Sequence, residues 1–255
     1  MAPYFMDTVE TVPDGVGISA FGPEHLLWLF VGLAAAGVLC TAVRAPVPRR
    51  RRRITGILTV LLLLDEAFKH TMLIVGGNWL LRYLPLHLCS INIFTILLHE
   101  LRRSPLTEEL LYATCLPAAV LALLFPTWTR LPALNFMSLH SFSVHILLAL
   151  YPLVLLAAGE LRPDPRRLKG VLGLYAVVLP LVYGFNKLFD TDFMFLNGAG
   201  SGNPLSLLEA YLGDPGYLIG LPVGIALIWA VLYGPLLLRR RRAAAKKERS
   251  STAEG

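Results

Sequence analysis

Apolar residues fall along this chain in blocks of about twenty, broken by short stretches that are strongly basic or rich in Gly, Pro and Asn. Blocks of that length suit helices that cross a hydrocarbon layer. Seven qualify: residues 24–43, 54–75, 84–100, 108–125, 138–158, 170–190 and 216–238. The third and fourth are short and draw on their flanking loops. The pattern predicts an all-α fold, a polytopic integral membrane bundle of about seven transmembrane helices over residues 24–238. Residues 1–23 read as an extracytoplasmic N-terminal segment, and 239–255 as a basic, disordered cytoplasmic tail. A Gly-, Asn- and Ser-rich stretch at 196–204 reads as a flexible external loop, followed by a short interfacial helix over 205–212.

Composition agrees with a membrane bundle. Of 255 residues, 55% are hydrophobic and only 16% charged, unlike a soluble domain of this length. The net charge of +6 would suit nucleic acid, but its distribution argues for no nucleic-acid partner. The basic runs (Arg44 with Arg49 to Arg53, Arg102 and Arg103, Arg162 to Lys169, and the tail) occupy alternate loops. That places nineteen of the twenty-three Lys and Arg on one side. By the positive-inside rule the C-terminus is cytoplasmic, and an odd span count puts the N-terminus outside. Asp7, Glu10, Pro13 and Asp14 in the first twenty residues do not read as a cleavable signal peptide. Cys40, Cys89 and Cys115 all lie in apolar stretches, which excludes a disulfide framework.

Ionisable groups inside spans are costly, so they mark function. The second span carries Asp65, Glu66 and Lys69, at roughly +8 to +10 kcal/mol if charged and central. Its twelve Leu, Ile, Val and Phe residues return roughly −4 to −7 kcal/mol. This helix must therefore bury a polar face against protein or water. Glu66, Lys69 and His70 form one stripe on it, and Tyr183, Asn186, Lys187 and Asp190 form another on the sixth span. His87 and Cys89 open the third span, and His140 and His145 come early in the fifth. Given alternating directions, all four sets fall in the outer half at similar depth. The inner half shows no comparable set, which argues against a polar path through the bundle. Asp65 with Lys69, and Lys187 with Asp190, also have the spacing of structural ion pairs. His99 reads as interfacial, and Cys40 and Cys115 as small hydrophobes.

Several strings resemble one family. LPLHLC at 84–89, following GNW at 77–79, looks like the signature of the YwaF-like seven-span membrane proteins. GPEHL at 22–26, Glu66, Pro126, His145, FNKLFDTDFMFL at 185–196 and SLL at 206–208 also fit. The chain departs from that pattern at Asp192 and Phe193, in GDPGY at 213–217 and in CLPAAVLALLF at 115–125. The resemblance covers about residues 20–235. It implies a bacterial plasma-membrane protein related to a vertebrate transmembrane phospholipid acyltransferase that works through a cysteine. The partners implied are membrane lipids, a phospholipid acyl donor and a lysophospholipid acceptor, and no cofactor is implied.

Acyl transfer needs a nucleophile, a base and a stabiliser for the oxyanion. Cys89 is the one thiol in the polar layer and the expected nucleophile. His87 lies two positions away, on another helix face, so His145, His140 or His70 is the expected base, with Glu66 as orienter. His87, Tyr183, Asn186, Lys187 and Asp190 are expected to bind substrate. Two alternatives stay open. One is a ceramidase-like hydrolase with zinc held among the histidines and carboxylates. The other is a proton-coupled transporter or a lipid-binding protein without catalysis.

Overall fold

The computed structural model describes residues 3–45, 47–200 and 204–253, with side chains described as far as Leu238. Every regular element among the described residues is helical. The order is α1 (Pro23–Arg44), α2 (Pro48–Val75), α3 (Leu88–Leu101), α4 (Pro105–Leu110), α5 (Leu116–Leu124), α6 (Phe136–Ala157), α7 (Leu168–Phe189), α8 (Pro204–Leu212) and α9 (Gly220–Ala253).

Local chemistry sets the boundaries. Pro23, Pro48 and Pro105 occupy first-turn positions, where a missing N–H costs nothing. Ser104 and Thr107 cap α4 reciprocally, and the Asn135 side chain caps α6 by accepting from Met137 and Ser138. At the end of α2, Gly77 takes a φ of +68°, and Asn78 N–H returns to the Leu73 carbonyl at 2.9 Å. That left-handed turn favours glycine.

Five helices are long and apolar enough to cross a membrane: Pro23–Arg44, Pro105–Leu124, Phe136–Ala157, Pro165–Phe189 and Gly216–Leu238. The expected seven include two that do not meet this measure. α2 has the length, but Asp65, Glu66, Lys69 and its N-terminal arginines dilute its apolar run. α3 has only 14 residues, because Pro85 holds the preceding chain out of the helical region and the helix starts at Leu88 rather than 84. The tail differs too. The α9 backbone continues as helix through the basic run to Ala253, where disorder was expected; Ala, Arg, Lys and Glu are good helix formers. The loop at 196–200 is tied by its own hydrogen bonds, with Asn197 N–H donating to Asp192 at 2.9 Å and its amide to the Thr191 carbonyl at 3.1 Å. Residues 201–203 of that expected loop lie outside the described residues.

α4 and α5 form one 20-residue rod with a π-helical turn, Leu111–Cys115, inside it. Pro117 explains the turn: it has no N–H for the carbonyl four residues back, Ala113, and its ring crowds that carbonyl. The released Ala113 carbonyl accepts from Trp229 Nε1 of α9 at 2.9 Å. Tyr112 hydroxyl returns the link by donating to the Leu232 carbonyl at 2.9 Å.

The core is built around α6. In its apolar window 72% of residues are buried, against 6% in α1 and in α9. Phe142, Leu148 and Tyr151 of α6 meet Leu58 and Leu62 of α2, Ile93 and Ile96 of α3, and Leu111 of the π turn. A helix surrounded by helices is the natural place for polar side chains that must avoid lipid. α6 carries His140, Ser143 and His145.

Residues 3–22 form a strap across the ends of α2, α3 and α6 rather than a loose leader. Asn135 Nδ2 donates to the carbonyls of Tyr4 and Asp7, each at 2.8 Å, and Asn78 Nδ2 to the Met6 carbonyl at 3.1 Å. Glu10 closes the strap, accepting from Arg82 and from Tyr83 hydroxyl at 2.9 Å each. Burial opposes the Glu10 charge, but hydrogen bonds from Thr8 and Tyr83 and the nearby Arg82 outweigh it and hold the carboxyl below its usual range. Burial, and then the Glu10 charge, push the Tyr83 phenol up to about 12. A depressed carboxyl contributes stability above its unfolded pKa and loses it as pH falls through the folded one. Protease protection of residues 3–22 should therefore persist at neutral pH and fade only below about pH 4. Glu10→Gln should flatten that acid dependence; an unchanged profile would show that another group closes the strap.

Candidate functional site

Under the strap, α2, α3 and α6 bring together most of the polar residues singled out in the sequence. Glu66 Oε1 lies 2.5 Å from Lys69 Nζ and 3.3 Å from His70 Nε2, so one carboxylate oxygen serves the whole expected stripe. Lys69 pairs with Glu66, not with Asp65 as the alternative spacing suggested. Asp65 instead faces α6. Its Oδ1 accepts from Ser143 hydroxyl at 2.8 Å, and its Oδ2 is 2.9 Å from His140 Nδ1. Both atoms of that last contact remain without an aligned hydrogen bond, as does Glu66 Oε2, 3.9 Å from His140 Nε2. This arrangement keeps unspent hydrogen-bonding capacity in a buried place, which is unusual outside functional sites.

The histidines are not equivalent. His70 has both ring nitrogens engaged, since Trp79 Nε1 donates to its Nδ1 at 3.3 Å while Nε2 faces Glu66. His145 is buried and stacks on Trp128, with ring centroids 5.3 Å apart. Its Nδ1 sits 2.6 Å from the Ser141 carbonyl, so that nitrogen carries the proton and Nε2 keeps its lone pair. Nε2 makes no hydrogen bond among the described residues. It is the nitrogen best prepared to accept a proton.

Cys89 is the second residue of α3, in the first turn after the His87 cap. It lies within electrostatic reach of Lys69 and Glu66. His87 also senses Lys69 and Glu66, and His145 senses His140, Asp65 and His87. Together these couple Cys89, Glu66, Lys69, His70, His87, His140 and His145 into one constellation. Its electrostatic asset is Lys69, the one buried lysine among the described residues.

The α7 stripe behaves differently. Asn186 is fully buried and committed: its Oδ1 accepts from Thr191 hydroxyl and Phe193 N–H, at 2.9 and 3.0 Å, and its Nδ2 donates to the Phe193 carbonyl at 3.0 Å. It brackets the turn after α7. Lys187 is exposed and approaches Asp214 at 3.4 Å, not Asp190. Asp190 is exposed and caps α7 with a φ of +51°. Tyr183 is half-buried under Lys187, 5.4 Å from ring centre to Nζ. Of this region, only the Phe193–Met194 turn touches the first constellation, where Met194 N–H donates to His87 Nδ1 at 3.4 Å.

A second polar set was not anticipated and occupies the half expected to be apolar. Glu100 accepts from Tyr151 hydroxyl at 2.8 Å and Thr55 at 3.2 Å. Glu109, fully buried, accepts from Tyr233 hydroxyl and from Asp164 N–H. His99 is buried, with its Nδ1 2.9 Å from Thr107 Oγ1. Ser143 and Trp128 also take part, and neither was singled out in the sequence. Among the described residues, no three His, Cys, Asp or Glu side chains gather as a metal site.

With this geometry in place, comparison gives the lineage. The model of the TMEM164 family matches residues 20–233, which is most of the chain. The chain belongs to the TMEM164 family. Family membership and the five apolar helices make it a membrane protein. The matched span contains every residue of the constellation and excludes most of the strap and the tail. No curated protein and no solved structure matches this TMEM164-family chain.

Proposed function

We propose that this TMEM164-family protein is an intramembrane lipid acyltransferase that moves a fatty acyl chain between phospholipids through Cys89. One observation carries the reading: the single thiol at a helix start lies within reach of a buried lysine–carboxylate pair, in a layer where His145 keeps an open Nε2. A thiol becomes the attacking group when a base takes its proton, and a nearby cation stabilises the sulfur anion that results. The Cys89 sulfur attacks the ester carbonyl carbon, forming a C–S bond as the ester C–O bond breaks. The thiol proton passes through His145 to the leaving lysophospholipid oxygen. An acceptor lysophospholipid then reverses the sequence, returning its hydroxyl proton to the sulfur.

Topology supports the depth such chemistry needs. α2 and α3 complete seven spans when the irregular chain at 81–87 is added to α3, and basic residues bias the tail inward. The N-terminus is then outside the plasma membrane and the site lies in the outer half. An impermeant maleimide should label Asp14→Cys from outside intact cells; Asp14 is 92% exposed. Labelling only after lysis would invert the topology.

A proton-coupled transporter is the second reading, favoured by the Glu100–Tyr151 and Glu109–Tyr233 pairs in the opposite half. Purified protein in vesicles decides between them. Acyl exchange between labelled phospholipid and lysophospholipid, with no proton flux, is expected; flux without exchange would favour transport.

A further inference from the structure

The α3 face that carries Cys89 continues one turn deeper to Asn92, and then to Ile96 and His99. Phe94, Leu98 and Leu101 are exposed on the opposite face. Residues three apart on a helix sit one above the other, with Cβ atoms about 5–6 Å apart. Both residues meet the region of the π turn: Cys89 packs against the core cluster that contains Cys115, and Asn92 Oδ1 accepts from Thr114 Oγ1 at 3.4 Å. That hydroxyl is shared with the Leu110 carbonyl at 2.7 Å.

Asn92 is only 1% exposed, yet its Nδ2 has no hydrogen-bond partner among the described residues. A buried amide donor left unpaired is costly. The Thr114 proton goes mainly to the Leu110 carbonyl, so the amide can face Thr114 with either end; its NH2 carries two protons, and at least one stays unspent in both orientations.

We propose that Asn92 is the oxyanion donor of the acyl-transfer site, holding the ester oxygen while Cys89 adds to the carbonyl carbon. This rests on the acyl-transfer reading above. As the C–S bond forms, the carbonyl π electrons move onto oxygen, and Asn92 Nδ2–H stabilises that charge. When the ester C–O bond breaks, the carbonyl re-forms and the donor is released. A buried amide donor aimed at a developing oxyanion is the type of group whose loss costs about 100-fold or more in rate.

The test compares acylation with alkylation of the same sulfur. Acylation passes through an oxyanion; alkylation by iodoacetamide does not. Wild type, Asn92→Leu and Cys89→Ser are reconstituted in vesicles of phosphatidylcholine, phosphatidylethanolamine or phosphatidylglycerol bearing a fluorescent acyl chain. Leu matches Asn in shape and removes the unpaired donor, so it should fold at least as stably. The expected result is hydroxylamine-sensitive label on Cys89 of wild type, about 100-fold slower labelling of Asn92→Leu, and equal alkylation of both. Equal acylation of both would overturn the role of Asn92 and leave the acyl-transfer reading standing. A parallel loss of acylation and alkylation would also overturn it, by showing that Asn92 acts on the thiol or the fold. No label on wild type from any of the three lipids would remove the acyl-transfer reading and this role together.

Discussion

Replacing Cys89 by Ser should reduce acyl exchange by on the order of 1,000-fold or more, the scale on which loss of a nucleophile acts. The hydroxyl fits the same space but ionises far less readily than a thiol near neutral pH. Cys40→Ser and Cys115→Ser should keep most of the activity. Cys40 lies on α1, outside the constellation, and Cys115 donates to the Leu148 carbonyl at 3.4 Å inside the apolar core. Exchange by Cys89→Ser at the wild-type rate, measured in vesicles, would leave Cys89 as a packing residue. Loss of activity in the Cys115 variant alone would move the nucleophile to the π turn.

Glu66→Ala should be the most destabilising change in the outer layer. It strands Lys69, which is 6% exposed, without its 2.5 Å partner. Breaking a buried ion pair from one side costs about 3–5 kcal/mol, mostly because the remaining charge is uncompensated. The unfolding midpoint should fall by roughly 10 °C. Adding Lys69→Met removes the stranded charge and should restore most of the midpoint. The double variant should still exchange acyl chains about 10- to 100-fold more slowly, because no cation remains beside Cys89. A double variant that is both stable and fully active would make the pair a structural element only.

The outer constellation was legible because its groups are costly where they sit. Asp65, Glu66, Lys69 and the histidines interrupt apolar runs, and the alternation expected of the spans would put them at one depth. The partners within the layer were not legible. Helical spacing allows Lys69 to meet Asp65 or Glu66, and only the rotation of α2 against α6, which turns Asp65 toward Ser143 and His140, decides it. The inner set escaped for another reason. Glu100 and Glu109 stand near span ends, where charge is ordinary, and their donors Tyr151 and Tyr233 count as apolar in a hydropathy pattern. The α7 stripe was a true periodicity with a different use: Asn186 holds the turn that carries Phe193 and Met194 to His87. The π turn was written in Pro117, since a proline inside an apolar run must release the carbonyl four residues earlier. That Trp229 would claim the carbonyl depends on α9, 116 residues away in sequence.

The central claim is that Cys89 carries the acyl chain. Wild-type protein incubated with phospholipid vesicles without acceptor, then denatured and digested, gives the most direct measurement. A fatty-acyl mass is expected on the peptide containing Cys89, removed by neutral hydroxylamine and absent from Cys89→Ser. An unmodified Cys89 peptide in a preparation that exchanges acyl chains would contradict it.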